Sequence, residues 1–338
     1  MYFENFLRRD SLNILFCSAG RRVKLLNYFQ EELSKIGGKV VAVDCESSAP
    51  ALQFADIAET VSPITHPDYL KQIRQLCKKY NIQAIISLID PELTLLSEHK
   101  EEFEKGNIKV IVSDKEIVET CFDKYKTHQI LEKNHIPTVP TFIKFRDVMR
   151  AIEGDYIKYP LIAKPRTGSA SIGISLINTV DELKKIFMEN KEIVLQPYIE
   201  GEEYGVDCYV DLINQRTTNI FCKKKLGMRA GETDRSIAVY DEELIQLINR
   251  VLGKLELIGP IDIDCFKTSK GYLISEINPR FGGGYLHAHS VGQNYVKNII
   301  NNMRGIINEP NIGNYIEGSI MIKFDNVMVI NSEKSVYL

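Results

Sequence analysis

The sequence predicts a chain of mixed class, α/β in its first third and α+β in the remainder. Between Leu12 and Val112, short apolar runs alternate with segments of helical periodicity, which is typical of a parallel, doubly wound sheet. Later in the chain, the apolar runs come in pairs joined by polar or glycine-containing turns, which indicates antiparallel strands. We therefore expect a parallel sheet followed by a region built on antiparallel strand pairs.

The first third is predicted to hold four strands and two helices. The strands are residues 12–17, 39–43, 84–89 and 109–112, and the helices are residues 23–33 and 69–80. Ligands of parallel sheets bind beyond the carboxyl ends of the strands, where Ser18–Arg22 and Asp90–Glu92 lie. One glycine follows the first strand in place of a G-x-G-x-x-G sequence, which argues against a dinucleotide site.

Two arginines, Arg21 and Arg22, stand at the start of the first predicted helix. A helix N-terminus with two guanidinium groups suits an anionic ligand group. The alternative is that both arginines are ordinary solvated residues of a first helical turn.

The middle of the chain places a lysine directly before a loop of small residues. A helix is predicted to open at Asp123 and reach Lys133, and a later strand ends near Lys164. The loop Arg166–Ile174 then supplies small residues that let backbone N–H groups close over phosphates. Alone, this loop is equally compatible with a hairpin turn.

A further segment, residues 192–207, is interpreted as a strand, a linker and a second strand. An adenine can lie against Tyr198 and Ile199, and Glu203 can accept hydrogen bonds from ribose hydroxyls. By itself the segment is an ordinary strand pair.

The strongest chemical pattern lies in residues 259–284. Two apolar strands, joined by a turn at residues 267–271, are predicted to form a hairpin. Side chains alternate in strands, so Asp262 and Asp264 share one face, as do Glu276 and Asn278. Their oxygens suit a hard cation such as Mg²⁺, and Arg280 adds a fork for phosphate or carboxylate. The alternative is the solvated face of a sheet.

Three other features leave their alternatives open. The basic stretch Lys223–Arg235, predicted to lie between a strand and a helix, is either a solvated charge run or a source of cations for phosphates or substrate. His287 and His289 have no third ligand nearby, which favours a structural or substrate-loop role over a metal site. The tail predicts two strands, within residues 318–324 and 327–330.

Composition narrows the class of protein. The formal net charge of −3 gives no basic field for nucleic acid. Seven scattered cysteines without a C-x-x-C pair favour reduced thiols and a cytoplasmic location. No apolar run approaches the roughly 20 residues of a membrane span, and the first ten residues lack a signal-peptide core.

Taken in order, these segments resemble the ATP-grasp superfamily, and among its members stand-alone carbamoyl-phosphate-synthase-like proteins and carboxylate–amine ligases. The order runs from Asp123-Lys124 through Lys164 and its loop, the linker 196–203 and Asp264 to Glu276–Arg280. The resemblance implies an N-terminal Rossmann-like (pre-ATP-grasp) domain followed by a two-lobed ATP-grasp domain. The implied boundaries are 1–118 for the first domain, 119–195 for the small lobe and 196–338 for the large lobe with its metal-binding hairpin and C-terminal strands.

The resemblance also implies roles for individual residues. ATP would be bound by Lys124, Lys164, Thr167, Gly168, Ser169, Ser171, Gly173, Gln196, Pro197, Tyr198, Ile199, Glu203 and Lys225. Mg²⁺, with Mn²⁺ as an alternative, would be held by Asp264, Asp262, Glu276 and Asn278, with the choice between the two aspartates left open. Catalysis would rest on Arg280, Lys164 and Glu276, and the substrates would contact Arg21, Arg22, Asp90, Glu92, Arg229, Arg280 and Gly283. Gln196 departs from the glutamate of many members, but its amide can still accept from an adenine amino group.

The function implied is an ATP-dependent ligase that joins a carboxylate to an amine through an acyl phosphate. The alternatives are phosphorylation of a small acid, as in carbamoyl-phosphate synthesis, and a non-catalytic ATP-binding regulator. The expected partners are small-molecule carboxylate and amine substrates, with neither nucleic acid nor membrane, and a homodimer is a further expectation because members are often dimers.

Overall fold

The protein is described here by a computed structural model that covers residues 11–168, 173–190 and 192–330. Three sheets organise it: one of five strands, one of three and one of six. Among the described residues, no helix combines the length and the hydrophobicity needed to cross a bilayer.

The first sheet is parallel throughout, in the order β3-β2-β1-β4-β5. Its strands are β1 Asn13–Cys17, β2 Val40–Asp44, β3 Ile57–Thr60, β4 Ile82–Ser87 and β5 Lys109–Val110. Its helices are α1 Val23–Ser34, α2 Tyr69–Lys79, α3 Asp90–Glu98 and α4 Lys100–Lys105. The predicted α/β sheet is confirmed, although β3 was missed because it is only four residues long and carries no buried residue. The chain changes direction across the sheet between β1 and β4, so the loops after these strands border a shared crevice.

A helical connection leads from the first sheet to the second. It contains α5 Lys115–Phe122, α6 Lys124–Lys133 and α7 Phe145–Glu153. Asp123 caps α6, since its carboxylate accepts the backbone N–H groups of Tyr125 and Lys126. The same carboxylate accepts from Arg166 Nε at 2.8 Å. This cap fixes Lys124 at the first position of α6, as the sequence predicted for the helix start.

The second sheet is antiparallel, in the order β7-β6-β8. It comprises β6 Leu161–Pro165, β7 Ser175–Ile177 and β8 Ile193–Pro197, with α8 Val180–Glu189 between the last two. Its apolar face packs with α7 and α8 around a small core that includes Val148, Leu161 and Leu183. This compact unit carries the loop that follows Lys164.

The third sheet has six antiparallel strands, in the order β13-β12-β9-β10-β11-β14. They are β9 Glu202–Val210, β10 Thr217–Arg229, β11 Glu232–Ala238, β12 Gly259–Thr268, β13 Gly271–Asn278 and β14 Ile320–Ile322. Helices α9 Glu242–Leu252, α10 Tyr285–Ser290 and α11 Tyr295–Met303 accompany it. Helix α9 packs on one face of the sheet. The other face shares a core with the first sheet, in which the Phe29 and Phe281 rings meet edge to face at 6.0 Å.

Two sequence predictions are wrong in this region. The basic stretch Lys223–Arg235 is not a connection to a helix but the hairpin of β10 and β11, whose strands pair over most of their length. In the tail, residues 320–322 form a strand as predicted, whereas residues 327–330 form none. The domain boundaries stay predictions.

Candidate functional site

A cavity of about 710 Å³ opens between the three-stranded and six-stranded sheets. This volume lies within the range of small-molecule sites. The predicted ligand-binding residues on its wall are Lys124, Lys164, Thr167, Gly168, Gln196, Pro197, Tyr198, Ile199, Glu203, Lys225, Asp264 and Glu276. Gly173 is described but does not line the cavity, and Ser169 and Ser171 lie outside the described residues. Segments far apart in the sequence therefore meet at one cavity.

One end of the cavity is mainly apolar. Val139, Ile162, Tyr198 and Ile199 contribute to this wall. Gln196 is buried there, and its amide nitrogen donates to Thr141 Oγ1 at 2.8 Å. A flat, partly polar ring system fits such an environment, because apolar walls with few polar groups fix a ligand's orientation.

The opposite end gathers two lysines around one carboxylate. Glu276 Oε1 lies 3.4 Å from Lys164 Nζ and 3.7 Å from Lys124 Nζ. Lys124 also donates to the carbonyl oxygen of Gly168 at 2.7 Å. Burial lowers the pKa of Lys124, and Glu276 only partly opposes this effect. Two cations facing one anion leave this end positive and suited to a polyanion.

Lys225 adds a third cation to the wall. Its Nζ lies 2.7 Å from Asp264 Oδ1 and 3.9 Å from Glu203. Burial opposes the charge of Lys225, but the carboxylate of Asp264 outweighs burial and raises its pKa. Sequence analysis left the role of the basic stretch open, and the hairpin of β10 and β11 brings this one lysine into the cavity.

The predicted hairpin of β12 and β13 is present, and the structure gives the register of its strands. Asp264 pairs with Glu276 and Asp262 with Asn278, so all four side chains leave the same face. Among the described residues, no group of three or more His, Cys, Asp or Glu side chains is arranged to hold a metal ion. Asp264 and Glu276 line the main cavity, and Asn278 lines a small cleft beside it together with Glu276.

Asp262 lies outside the main cavity, in a different setting from Asp264. Its Oδ2 is 3.8 Å from Arg280 Nη1, and a Cβ on Gly282 would come within 2.5 Å of its carboxyl. Burial, with repulsion from Asp264, raises the pKa of Asp262 to about 7. Of the two aspartates, Asp264 is therefore the one that reaches the cavity.

A fully buried ion pair on the same face of the sheet was missed by sequence analysis. Lys223 on β10 donates to Asp207 on β9, and Asp207 stands opposite Asp262 in the register of β9 and β12. The acid-after-apolar alternation in Tyr204–Cys208 was the available signal, since it repeats the pattern that drew attention to Asp262 and Asp264.

Arg280 reaches across to the first sheet. Its Nη2 donates to Asp90 Oδ2 at 3.0 Å, its Nε lies 2.9 Å from Oδ1 and its Nη1 donates to the carbonyl oxygen of Phe281. Both charged side chains are buried, and the pKa of Arg280 is raised because the nearby acids outweigh the burial. Asp90 was predicted to contact a substrate, but in this structure its partner is a guanidinium of the protein.

The structure corrects the prediction for Glu92. Its carboxylate is fully buried under α3, where it accepts hydrogen bonds from the hydroxyls of Tyr69 and Ser87. Burial raises its pKa. The first turn of α3 directs Asp90 toward the crevice and Glu92 toward the core, so Glu92 is not available to a substrate.

The remaining predicted substrate residues divide into two places. Arg22 and Arg21 lie 3.5 and 3.9 Å from Glu232 Oε1, and a Cβ on Gly283 would lie 3.0 Å from the same side chain. Arg229 instead pairs with Asp325 at 2.8 Å near the tail. Glu232 was not singled out from sequence, because nothing in its local pattern separates it from a surface acid.

The two histidines of α10 are structural. His287 exchanges hydrogen bonds with Ser236 Oγ at 2.8 Å and Ser319 Oγ at 3.1 Å, and His289 stacks on Tyr28. Burial lowers the pKa of each histidine to about 4.

Comparison with known proteins points to one family. Residues 14–111 match the model of a PylC-like N-terminal domain, and residues 121–284 match the model of an ATP-grasp domain. Similar proteins include a formate-dependent phosphoribosylglycinamide formyltransferase of Prochlorococcus marinus, 26% identical over 74% of this chain. A D-alanine–D-alanine ligase of Bacillus anthracis is 28% identical over 44% of the chain. The chain spans 65% of the formyltransferase and 49% of the ligase.

Solved structures share the fold. The biotin carboxylase domain dimer of Hydrogenobacter thermophilus 2-oxoglutarate carboxylase, in complex with MgADP, ADP and bicarbonate, superposes with a TM-score of 0.72 at 18% identity, covering 92% of this chain and 74% of that one. The N5-carboxyaminoimidazole synthetase of Staphylococcus aureus gives a TM-score of 0.70 at 21% identity, covering 90% and 80%.

Proposed function

This chain belongs to the ATP-grasp superfamily, and we propose that it is an ATP-dependent ligase that joins a carboxylate to an amine through an acyl phosphate. The observation that carries the proposal is the single cavity whose wall combines a flat apolar end, a pair of lysines and two carboxylates on one hairpin face. Such a wall offers separate places for a base, a triphosphate and a divalent cation.

In this proposal the nucleotide spans the cavity from end to end. The adenine lies against Tyr198 and Ile199 beside the buried amide of Gln196, and Glu203 accepts from the ribose hydroxyls. Lys124 and Lys164 neutralise the phosphates. A bound triphosphate would add negative charge beside the two lysines, which opposes the lowering of the Lys124 pKa by burial.

The hairpin face fits Mg²⁺. Magnesium in proteins is usually held by one or two carboxylates, with water and phosphate oxygens as its remaining ligands. Asp264 and Glu276 are the two carboxylates, with Asn278 beside them. When bound, Mg²⁺ would offset the charge on the transferred phosphoryl group.

The chemistry follows from the weakness of a carboxylate as an acyl donor. A carboxylate oxygen attacks the terminal phosphorus of ATP, the bond to ADP breaks, and an acyl phosphate forms. The amine nitrogen then attacks the acyl carbon. The bond between that carbon and the phosphate oxygen breaks, phosphate leaves with the electron pair, and the nitrogen loses its proton. Lys164 and Arg280 stabilise the charge on the phosphoryl oxygens. Water has to be kept out, since it would hydrolyse the acyl phosphate.

The acid substrate is assigned to the region of Arg280 and the amine to the crevice beside the first sheet. Arg280 lies at the carboxyl end of β13, next to the cleft lined by Asp90, Glu276 and Asn278. The pairing of Arg280 with Asp90 keeps the guanidinium buried and charged until an acid enters. Binding of the acid thus exchanges one carboxylate partner of Arg280 for another or adds a second.

The proposal is tested by ADP release with panels of carboxylic acids and amines, each offered singly and in pairs. We expect ADP release that requires both members of a cognate pair, with an isotopic oxygen label in the acid appearing in the released phosphate. ADP release with no label in the phosphate would overturn the acyl-phosphate route. Tight ATP binding without acid-dependent release from any pair would favour a nucleotide-binding regulator.

A further inference from the structure

Three cationic side chains surround a single carboxylate at the crevice between the first sheet and the six-stranded sheet. Glu232 Oε1 lies 3.5 Å from Arg22 and 3.9 Å from Arg21, and its Oε2 accepts from Lys323 Nζ at 3.1 Å. Three positive charges against one negative charge leave the cluster with a surplus of cations. We call these four residues the Glu232 cluster.

Two cations of the cluster, Arg22 and Lys323, are destabilised by burial. The Arg22 and Lys323 side chains are only about one-fifth exposed, at 19% and 20%. Burial lowers the pKa of both, and their attraction to Glu232 does not restore it. A desolvated cation that is only partly compensated gains from a further anion. The cluster is therefore a place where an incoming anionic group is favoured.

Other charged groups nearby already have partners. Arg280 is paired with Asp90, and Arg229 lies 3.1 Å from Asp234 and pairs with Asp325. Asp44 accepts the backbone N–H of Gly20 at 2.8 Å. Asp262 also attracts Arg22, but it lies 3.8 Å from Arg280 and its pKa is raised to about 7, so a positive surplus remains with the Glu232 cluster.

The shape of the crevice at this point depends on a glycine. A Cβ at Gly283 would lie 3.0 Å from the Glu232 side chain, so the glycine lets the backbone of the loop after β13 approach the carboxylate. Arg22 directly precedes the twelve-residue helix α1, and its side chain reaches Glu232 from there. The arginines and Lys323 therefore favour negative charge at one position.

We infer that the Glu232 cluster binds an anionic group, a carboxylate or a phosphate, that is carried by the amine substrate. In the absence of substrate the Glu232 carboxylate stands in for that group and holds the three cations together. When the amine binds, its anionic group shares Arg22 and Lys323 with Glu232 or displaces it. The identification of the ligand as the amine substrate rests on the proposed ligase activity, whereas the anion site itself does not depend on that activity.

The first test measures binding of inorganic phosphate and of acetate by calorimetry at constant ionic strength, with MgADP present at saturation. Lys323→Gln should weaken binding of the preferred anion about tenfold or more, whereas Glu232→Gln should tighten it because the internal competitor loses its charge. The exposed Lys71 provides the matched control, since Lys71→Gln removes one positive charge far from the crevice. Changes of opposite sign separate a binding site from a structural bridge, which would weaken binding in both variants.

The second test measures ADP release with amines that differ only in their anionic group, such as an amino acid and its amide. We expect the anionic amine to be used at least tenfold more efficiently, and Lys323→Gln to raise its KM without changing the KM for ATP. If Lys323→Gln and Glu232→Gln both leave the binding of phosphate and acetate unchanged, the proposed anion site is wrong, even if ligase activity is found. Opposite shifts in anion binding without ADP release from any amine leave the anion site standing and reject the ligase.

Discussion

The nucleotide cavity and the substrate crevice are built in different ways, although they meet at Glu276 and Arg280. Most cavity residues could be recognised from short local patterns, such as Lys164 before its small-residue loop, although its partner Glu276 is 112 positions away. The crevice depends on pairs whose members are far apart in the chain: Arg280 with Asp90, 190 positions away, and Lys323 with Glu232, 91 positions away. Local motifs can be found from one sequence, whereas a distant partner is visible only after folding.

The difference has a consequence for energetics. Charges in the cavity are largely buried and paired, but they border a cavity of about 710 Å³, so removal of one should cost binding or rate more than stability. In the crevice, Arg280 and Asp90 are both buried and neutralise each other, so removal of either one leaves its partner uncompensated. Substitutions in the cavity and in this pair should therefore separate into losses of function and losses of fold.

The largest expected effect is on stability, from Asp90→Asn. Loss of the carboxylate leaves the Arg280 guanidinium buried without its counter-charge, which should lower the free energy of unfolding by about 3–5 kcal/mol. Denaturant unfolding measures this difference. The control is Asp325→Asn, which breaks an exposed aspartate–arginine pair and should cost less than about 1 kcal/mol. Equal losses in the two variants would remove the distinction between crevice and surface.

A large effect on rate is expected from Glu276→Gln in the cavity. The amide keeps the shape but loses the charge assigned to metal binding, so turnover should fall by about 10²–10³. ADP formation during a Mg²⁺ titration measures the loss, and a melting curve should stay close to that of the wild type. Glu242→Gln on the exposed side of α9 is the control. Near-normal turnover at ordinary Mg²⁺ would contradict the metal assignment.

What could be predicted from the sequence also differs between the cavity and the crevice. The shared face of Asp262 with Asp264 and of Glu276 with Asn278 was predictable, because side chains alternate along a strand, whereas the register between the two strands was left open. The sequence left open which aspartate faces the cavity, since that depends on how Arg280 and Gly282 approach Asp262. The burial of Glu92 was hidden for a related reason: a helix starts at Asp90, and its first turn directs the two acids to different sides.

The hairpin of β10 and β11 shows a second limit. Its strands carry Lys223–Lys225 and Arg235, and in the sequence these charges are typical of a solvent-exposed segment. The structure buries Lys223 against Asp207 on β9 and Lys225 against Asp264 on β12, so acids on other strands of the sheet offset the cost of burial. Composition alone cannot reveal such compensation, because it depends on which strands lie side by side in the folded sheet.

The free energy of unfolding is expected to depend on pH through His287. His287 is buried beside Lys223 and Ser236, and its pKa is lowered to about 4 from an ordinary value near 6.5. The folded state thus favours the neutral ring, so this stability is present above about pH 6.5 and is lost as the pH falls toward 4. The loss should be about 1–3 kcal/mol, and His287→Gln should reduce it.

Melting temperatures between pH 4 and 7 measure the effect. The exposed His66 gives the control, since His66→Gln removes a histidine without changing the crevice. A wild-type curve that is flat from pH 6.5 to 4, or that is changed equally by both substitutions, would show that His287 does not resist protonation in the fold.

The smallest effect is expected from Glu203→Ala at the edge of the cavity. Its carboxylate is about half exposed and 3.9 Å from Lys225, so its loss should leave the free energy of unfolding nearly unchanged. If it accepts from the ribose, ATP affinity should fall about three- to tenfold, the worth of one ordinary hydrogen bond at a half-exposed position. The neighbouring Glu202 pairs with Lys224 and does not line the cavity, so Glu202→Ala removes the same charge from the same strand without reaching the nucleotide. ATP affinity is measured by calorimetry. An equal fall in both variants would show a general electrostatic effect, and an unchanged affinity in Glu203→Ala would remove Glu203 from the site. A loss confined to Glu203→Ala, with the fold intact, would assign the ribose to this part of the cavity.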